Sequence, residues 1–249
     1  MIMGWFLSLA ATGQTVIWSA NMETADLSQW TINGTKGGSY DSGTCIRPNY
    51  GVTTEKAHSG AFSMKMTIDT TVQESGCRQF RHQESVTGNT YYYGAWFFIP
   101  ANTKATNYWN IFQFKSQTST RNDPFWVIDL MPRKSTGSLR LLLRWKGTVV
   151  GPYSTDSKTG TKYYDQGLVD APVGKWFHIQ AYLVQSSYFT GHLVIWQDGV
   201  KIYDMVNVKT KYVGGDERWS VNNYSDKVSP TPATLFVDDA TVSTGLLVP

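Results

Sequence analysis

Short runs in which apolar and polar residues alternate recur along the chain, and alternation with a period of two predicts β-strands. Such runs cover residues 15–20, 62–68, 77–83, 91–99, 109–116, 125–131, 138–145, 176–184, 191–197, 201–208 and 234–243. Gly, Asn, Asp, Ser and Pro separate them. No heptad pattern, internal repeat or amphipathic helix interrupts them. Many short strands at this spacing predict an all-β sandwich of two antiparallel sheets, a β-jelly roll. Asp198-Gly199 between 191-GHLVIWQ-197 and 200-VKIYDMV-206 predicts a type I′ hairpin. The polar stretch 147–167 reads as a rim or lid. No Pro- or Ser-rich linker divides the chain, so residues 17–249 read as one jelly-roll domain.

Three strands break the simple pattern. In 78-RQFRHQE-84, Arg78, Phe80 and His82 share one face and Gln79, Arg81 and Gln83 the other, so neither face is a plain apolar row. In 109-WNIFQFK-115, alternation groups Trp109, Ile111, Gln113 and Lys115, with Phe112 and Phe114 turned to the core. In 138-SLRLLLRW-145, Arg140, Leu142 and Arg144 oppose Leu139, Leu141, Leu143 and Trp145. Each carries charge or amide groups toward one surface.

Composition sharpens this picture. A length of 249 residues suits a single all-β domain. Aromatics make up 14%, with ten Trp and fourteen Tyr, which favours strands and equips a surface for stacking on sugar rings. A net charge of +3 is too small to argue for nucleic acid. Between Arg78 and Lys146, however, ten Lys/Arg face only three acids, an excess that can steer a polyanion into a groove. No segment reaches the ~18 continuous apolar residues of a membrane span. Residues 1–16 resemble the apolar and small-residue parts of a signal peptide, or form an N-terminal extension or a first strand. The first reading makes the protein secreted. In that setting Cys45 and Cys77 pair, closing a loop worth about 3–4 kcal/mol; the other reading is two buried thiols.

The order of motifs resembles a known group. The segments 23-ETADLSQW-30, 57-AHSGAFSMKM-66, 78-RQFRHQ-83, 93-YGAWFFIP-100, 109-WNIFQFK-115, 172-PVGKWFHIQAYLV-184, 191-GHLVIWQDG-199 and 235-LFVDDATV-242 together look like the heparinase-I-like and glucuronan-lyase group of polysaccharide lyases. The resemblance covers the chain from about Trp18. It implies a concanavalin-like jelly roll whose concave sheet forms a groove for an acidic polysaccharide. It also implies β-elimination: a neutralised carboxylate, a base at C5, and an acid at the leaving oxygen.

On that resemblance His82 is the expected base, on the strand where the family carries active-site residues, although the sequence there departs from the Arg-Ser-Glu type. Gln113 is the expected neutraliser and Tyr224, in 219-WSVNNYSD-226, the acid. Arg78, Arg81, Lys115, Arg140 and Arg144 are expected to hold substrate carboxylates, since a guanidinium offers two parallel donors. Trp109 is a candidate stacking platform and Asn222 a partner for sugar hydroxyls. Glu23, Asp26 and Asp239 echo jelly rolls in which the two chain ends share a structural Ca²⁺. No paired-acid strand, G-x-S-x-G, phosphate loop or HExxH is present. The chain therefore reads as a monomeric, secreted lyase. The competing reading is a non-catalytic carbohydrate-binding module, which shares the fold and the tryptophans.

Overall fold

A computed structural model describes residues 14–30, 41–43, 45–46, 50–71, 75–82, 90–145, 162–225 and 227–247. The expectations for residues 1–13, for Gln83, and for most of the 147–167 stretch lie outside the described residues.

The strands, in chain order, are β1 (Val16–Ala20), β2 (Asp41–Gly43), β3 (Gly51–Thr53), β4 (Ser63–Ile68), β5 (Ser75–His82), β6 (Thr90–Phe98), β7 (Lys104–Ala105), β8 (Trp109–Gln117), β9 (Asn122–Pro132), β10 (Leu139–Trp145), β11 (Lys162–Tyr164), β12 (Trp176–Val184), β13 (Gly191–Gln197), β14 (Val200–Val208), β15 (Asp216–Ser225), β16 (Val228–Ser229) and β17 (Ala233–Ser243). One sheet runs β14-β13-β12-β6-β17-β4-β3, with β1 pairing to β17. The other runs β11-β10-β9-β8-β15-β5-β2, and β7 pairs with β16 apart from both. All pairings are antiparallel. The architecture is the all-β sandwich that the alternation predicts.

Its core lies between the two sheets. Trp18, Trp30 and Trp219 meet edge-on or tilted at centroid distances of 4.9, 6.1 and 6.0 Å, and Tyr93 and Phe112 pack on Trp219 at 5.7 and 5.5 Å. Such ring pairs add to what their buried area alone contributes. Cys45 and Cys77 form a disulfide that ties the first, irregular third of the chain to β5. Asp198 and Gly199 both take positive φ, 48° and 78°, as a type I′ hairpin requires.

Two departures from the sequence pattern shape the second sheet. The first is β15 itself. Asn and Asp are poor strand formers, and the segment from Asp216 to Ser225 does not read as a strand. Yet it is the central partner of both β5 and β8. Its polar residues are stabilised by partners across the sandwich: Asn223 accepts from the Trp109 indole at 2.8 Å and donates to the carbonyls of Met66 and Ala233 at 2.9 and 3.0 Å. Only the period-two row of Trp219 and Val221 against Ser220, Asn222 and Tyr224 betrays it.

The second departure is a bulge. Asn110 pairs with Asp129 and Phe112 with Ile128, so Ile111 is an extra residue in β8. A bulge reverses the side-chain alternation beyond it. Trp109, Ile111, Phe112 and Phe114 are all buried in the core, whereas Asn110, Gln113 and Lys115 turn to the outer surface of the sheet. Trp109 is therefore fully buried and not a stacking platform.

Candidate active site

On the outer face of the β11–β2 sheet, Arg78, Tyr108, Asn110, Gln113, Lys115, Pro124, Val127, Arg144 and Tyr224 line a cleft of about 430 Å³. Cross-strand register explains the gathering. Tyr224 stands opposite Asn110 on one side and Gly76 on the other, and Arg78 stands opposite Asn222. Directly opposed residues share a face, so β5, β15, β8, β9 and β10 each contribute side chains to one surface.

One wall is built of alternating cations and rings. The Arg78 guanidinium lies 4.0 Å over the Tyr224 ring, Tyr224 and Tyr108 pack at 5.8 Å, and Arg144 lies 5.3 Å from the Tyr108 ring. Arg144 is also paired with fully buried Asp129, at 2.7 Å to one carboxylate oxygen and 3.0 Å to the other. Gly76 is what lets the Tyr224 ring lie flat across β5. A Cβ placed there would sit 2.2 Å from the Tyr224 Cδ2. Gly76→Ala is therefore expected to displace the ring and lower turnover about tenfold or more. The shift in melting temperature should stay within a few degrees, which separates a misplaced Tyr224 from a failed fold. Wild-type turnover in that variant would refute the placement.

The floor is Gln113 and Asn110. The Asn110 amide is fully committed: its nitrogen donates to the carbonyls of Phe112 and Ile128 and its oxygen accepts from Asn222 at 2.5 Å. Asn222, in turn, is buried behind Asn110 and receives the Ser220 hydroxyl, so it braces the floor and does not face a sugar. Gln113, 5% exposed, makes no side-chain hydrogen bond among the described residues, and its amide is free to meet a ligand. Lys115 closes the cleft, 5.5 Å from the Phe80 ring. Burial, and then the charges of Arg78 and Arg218, pull its pKa down from 10.5 to about 8. Among the described residues no Asp or Glu lines the cleft.

The other expected residues lie elsewhere. His82 ends β5, opposite Arg218, which is itself opposite Lys115. That leaves its backbone about 10 Å from Lys115 and, six residues from Gly76, about 20 Å along the strand from the level of Tyr224. Arg81 turns to the opposite face, its guanidinium 4.4 Å over the Trp18 ring. Arg140 is held by both oxygens of Asp165 at 2.6 Å and by the carbonyls of Met131 and Pro132, which leaves it to brace β10. Sequence reasoning missed Tyr108, just before β8, and Asn110, which the bulge sets on the cleft side of the sheet.

The acids proposed for calcium do not converge. Glu23 accepts from the amides of Ala61 and Phe62. Asp26 caps the short 3₁₀ turn Ser28–Trp30 through Ser28 and Thr24. Asp239 binds the His58 ring at 2.7 Å and the Ser59 hydroxyl at 2.9 Å. Among the described residues no three His, Cys, Asp or Glu gather as a metal site.

The family model described as polysaccharide lyase matches residues 22–239, nearly the whole chain. The chain belongs to the polysaccharide lyase family. Among solved structures, this polysaccharide lyase resembles the endo-β-1,4-glucuronan lyase of the fungus Trichoderma reesei, with a TM-score of 0.65 at 16% identity over 93% of this chain and 96% of that one. It also resembles the PL-14 alginate lyase of Aplysia kurodai, with a TM-score of 0.62 at 11% identity over 94% and 100% of the two chains. At those identities the likeness is one of fold. No curated protein matches the chain.

Proposed function

We propose that this polysaccharide lyase cleaves a uronic-acid polymer by β-elimination in the cleft between Tyr224 and Lys115. The observation that carries the reading is a cleft whose described lining holds Arg78, Arg144, Lys115 with its pKa pulled down to about 8, the free Gln113 amide and two tyrosines, and no carboxylate. The pair of acids that glycoside hydrolysis needs is absent among these described residues. The fold neighbours named above are, by name, lyases of uronate polymers, which supports the substrate class.

The chemistry then follows from position. The Gln113 amide and the Arg78 guanidinium neutralise the sugar carboxylate, which acidifies the C5 proton. The neutral Lys115 amine removes that proton. The electron pair forms the C4=C5 double bond as the C4–O4 bond breaks. The Tyr224 hydroxyl protonates the departing oxygen. Arg144, held by Asp129, gives the neighbouring sugar carboxylate a fixed counter-charge. This reading moves the base from His82 to Lys115, because Lys115 shares the cleft with Tyr224. The disulfide supports a secreted enzyme, since such bonds persist in oxidising compartments.

The test is the near-ultraviolet band of the new C4=C5 bond, followed on glucuronan, alginate, heparin-type chains and pectate. A rise on one of them is expected, and Tyr224→Phe should abolish it. Binding without any rise would make the protein a binding module. The pH dependence has a stated sign. Lys115 works only when deprotonated, so activity should climb through pH 7 to 9 with a midpoint near 8. A profile already flat from pH 6 upward would remove Lys115 from the role of base.

A further inference from the structure

A second concavity of about 440 Å³ lies at the end of the sandwich, lined by Thr118, Ser119, Thr120, Arg121, Phe125, Ser187, Lys209, Lys211, Tyr212 and Val213. The cleft chemistry uses none of these residues. Three are cationic, and Lys211 is only 8% exposed. The segment carrying the lysines is pinned at successive points. The Trp126 indole donates to the Lys209 carbonyl at 3.0 Å, the Lys211 amide donates to the Ser186 carbonyl at 3.2 Å, and the Tyr212 amide donates to the Ser116 hydroxyl at 2.9 Å.

Aromatic rings spread the cations apart. Arg121 lies 5.0 Å over the Tyr212 ring and Lys209 lies 4.9 Å from the Phe189 ring. The Tyr212 hydroxyl donates to Asp123 at 2.8 Å, which fixes the ring and occupies that acid. Glu217, the acid nearest Lys211 inside the sandwich, is fully buried, and burial raises its pKa well above the ordinary carboxylate range. Held cations, an oriented ring and four Ser/Thr hydroxyls suit an acidic sugar better than a bare inorganic anion.

The position says which acidic sugar. Pro124 lines the cleft and its neighbour Phe125 lines this pocket; Thr118, just past the end of β8, follows Lys115 by three residues, about 10 Å along the chain. A polymer leaving the cleft past Lys115 reaches the pocket within a few sugar units. We propose that the pocket is a remote subsite for a uronate of the same polymer, gripping long chains beyond the reacting bond. The proposal rests on the cleft being a uronate-lyase site.

The test compares kcat/KM on polymer with kcat/KM on a purified trisaccharide of the same uronate, for wild type and for Arg121→Ser/Lys209→Ser. Lys211 is left in place because it is nearly buried. The polymer-to-trisaccharide ratio should fall about 3–10-fold in the variant, and added salt should narrow the gap by lowering the wild-type ratio. Lys209→Arg with Arg121 intact should keep the wild-type ratio. An unchanged ratio in the double variant overturns the subsite while leaving the lyase reading standing. A wild-type protein that cleaves no uronate polymer overturns the cleft reading, and the subsite with it.

Discussion

Lys115→Ala should cleave its polymer about 10²–10⁴-fold more slowly than wild type, the usual loss when a positioned base is removed. The fold should not suffer, because the substitution removes a half-buried cation that Arg78 and Arg218 already disfavour. The decisive companion is Lys115→Arg. It keeps a positive charge in the cleft but cannot act as a base at any useful pH. If Lys115 only attracts the substrate, the arginine variant retains most activity. If Lys115 takes the C5 proton, the arginine variant is as slow as the alanine one while its binding to the polymer persists. Initial rates followed by near-ultraviolet absorbance, beside affinity-gel retardation, separate the two.

Asp129→Ala should cost about 3–5 kcal/mol of folding stability. Asp129 is fully buried on β9, and its carboxylate is the counter-charge of Arg144, which is 9% exposed. Removing it leaves a largely buried guanidinium without its partner carboxylate, and that unpaired charge dominates the cost. Urea unfolding gives the number directly, and a loss below 1 kcal/mol would mean that Arg144 swings out to solvent. The apolar double replacement Asp129→Leu/Arg144→Met is the control. It should recover most of the stability yet cleave poorly, because the cleft has lost a cation.

The strands of the β14–β3 sheet were legible because packing there follows the simplest rule. Along β6, β12 and β13 one face is core, so apolar residues recur at every second position and the pattern maps directly onto the structure. The cleft sheet was harder for physical reasons. Strand β15 buries Asn222 and Asn223, and what makes that tolerable is a set of partners from other strands, Asn110, Trp109, Met66 and Ala233, that no local window contains. Gln113, Lys115, Arg78 and Arg144 were nonetheless picked out, since polar groups interrupting an apolar strand mark a surface with a task, and Tyr224 was picked out by the resemblance alone. Arg140 looked equivalent to Arg144 on the same strand face. Only Asp165, over twenty positions on, distinguishes them. Trp109 was misplaced by a single uncounted residue.

That residue, Ile111, is a surplus against β9, and the faces of the strand do not depend on it. Without it, Trp109, Phe112 and Phe114 would still turn to the core, and Asn110, Gln113 and Lys115 to the cleft, now in unbroken alternation. A residue added between Phe112 and Gln113 would do the opposite: it would turn the amide and the amine into the sandwich and set Phe114 in water. This stretch of chain therefore forgives a missing letter at 111 and not an extra one two places on.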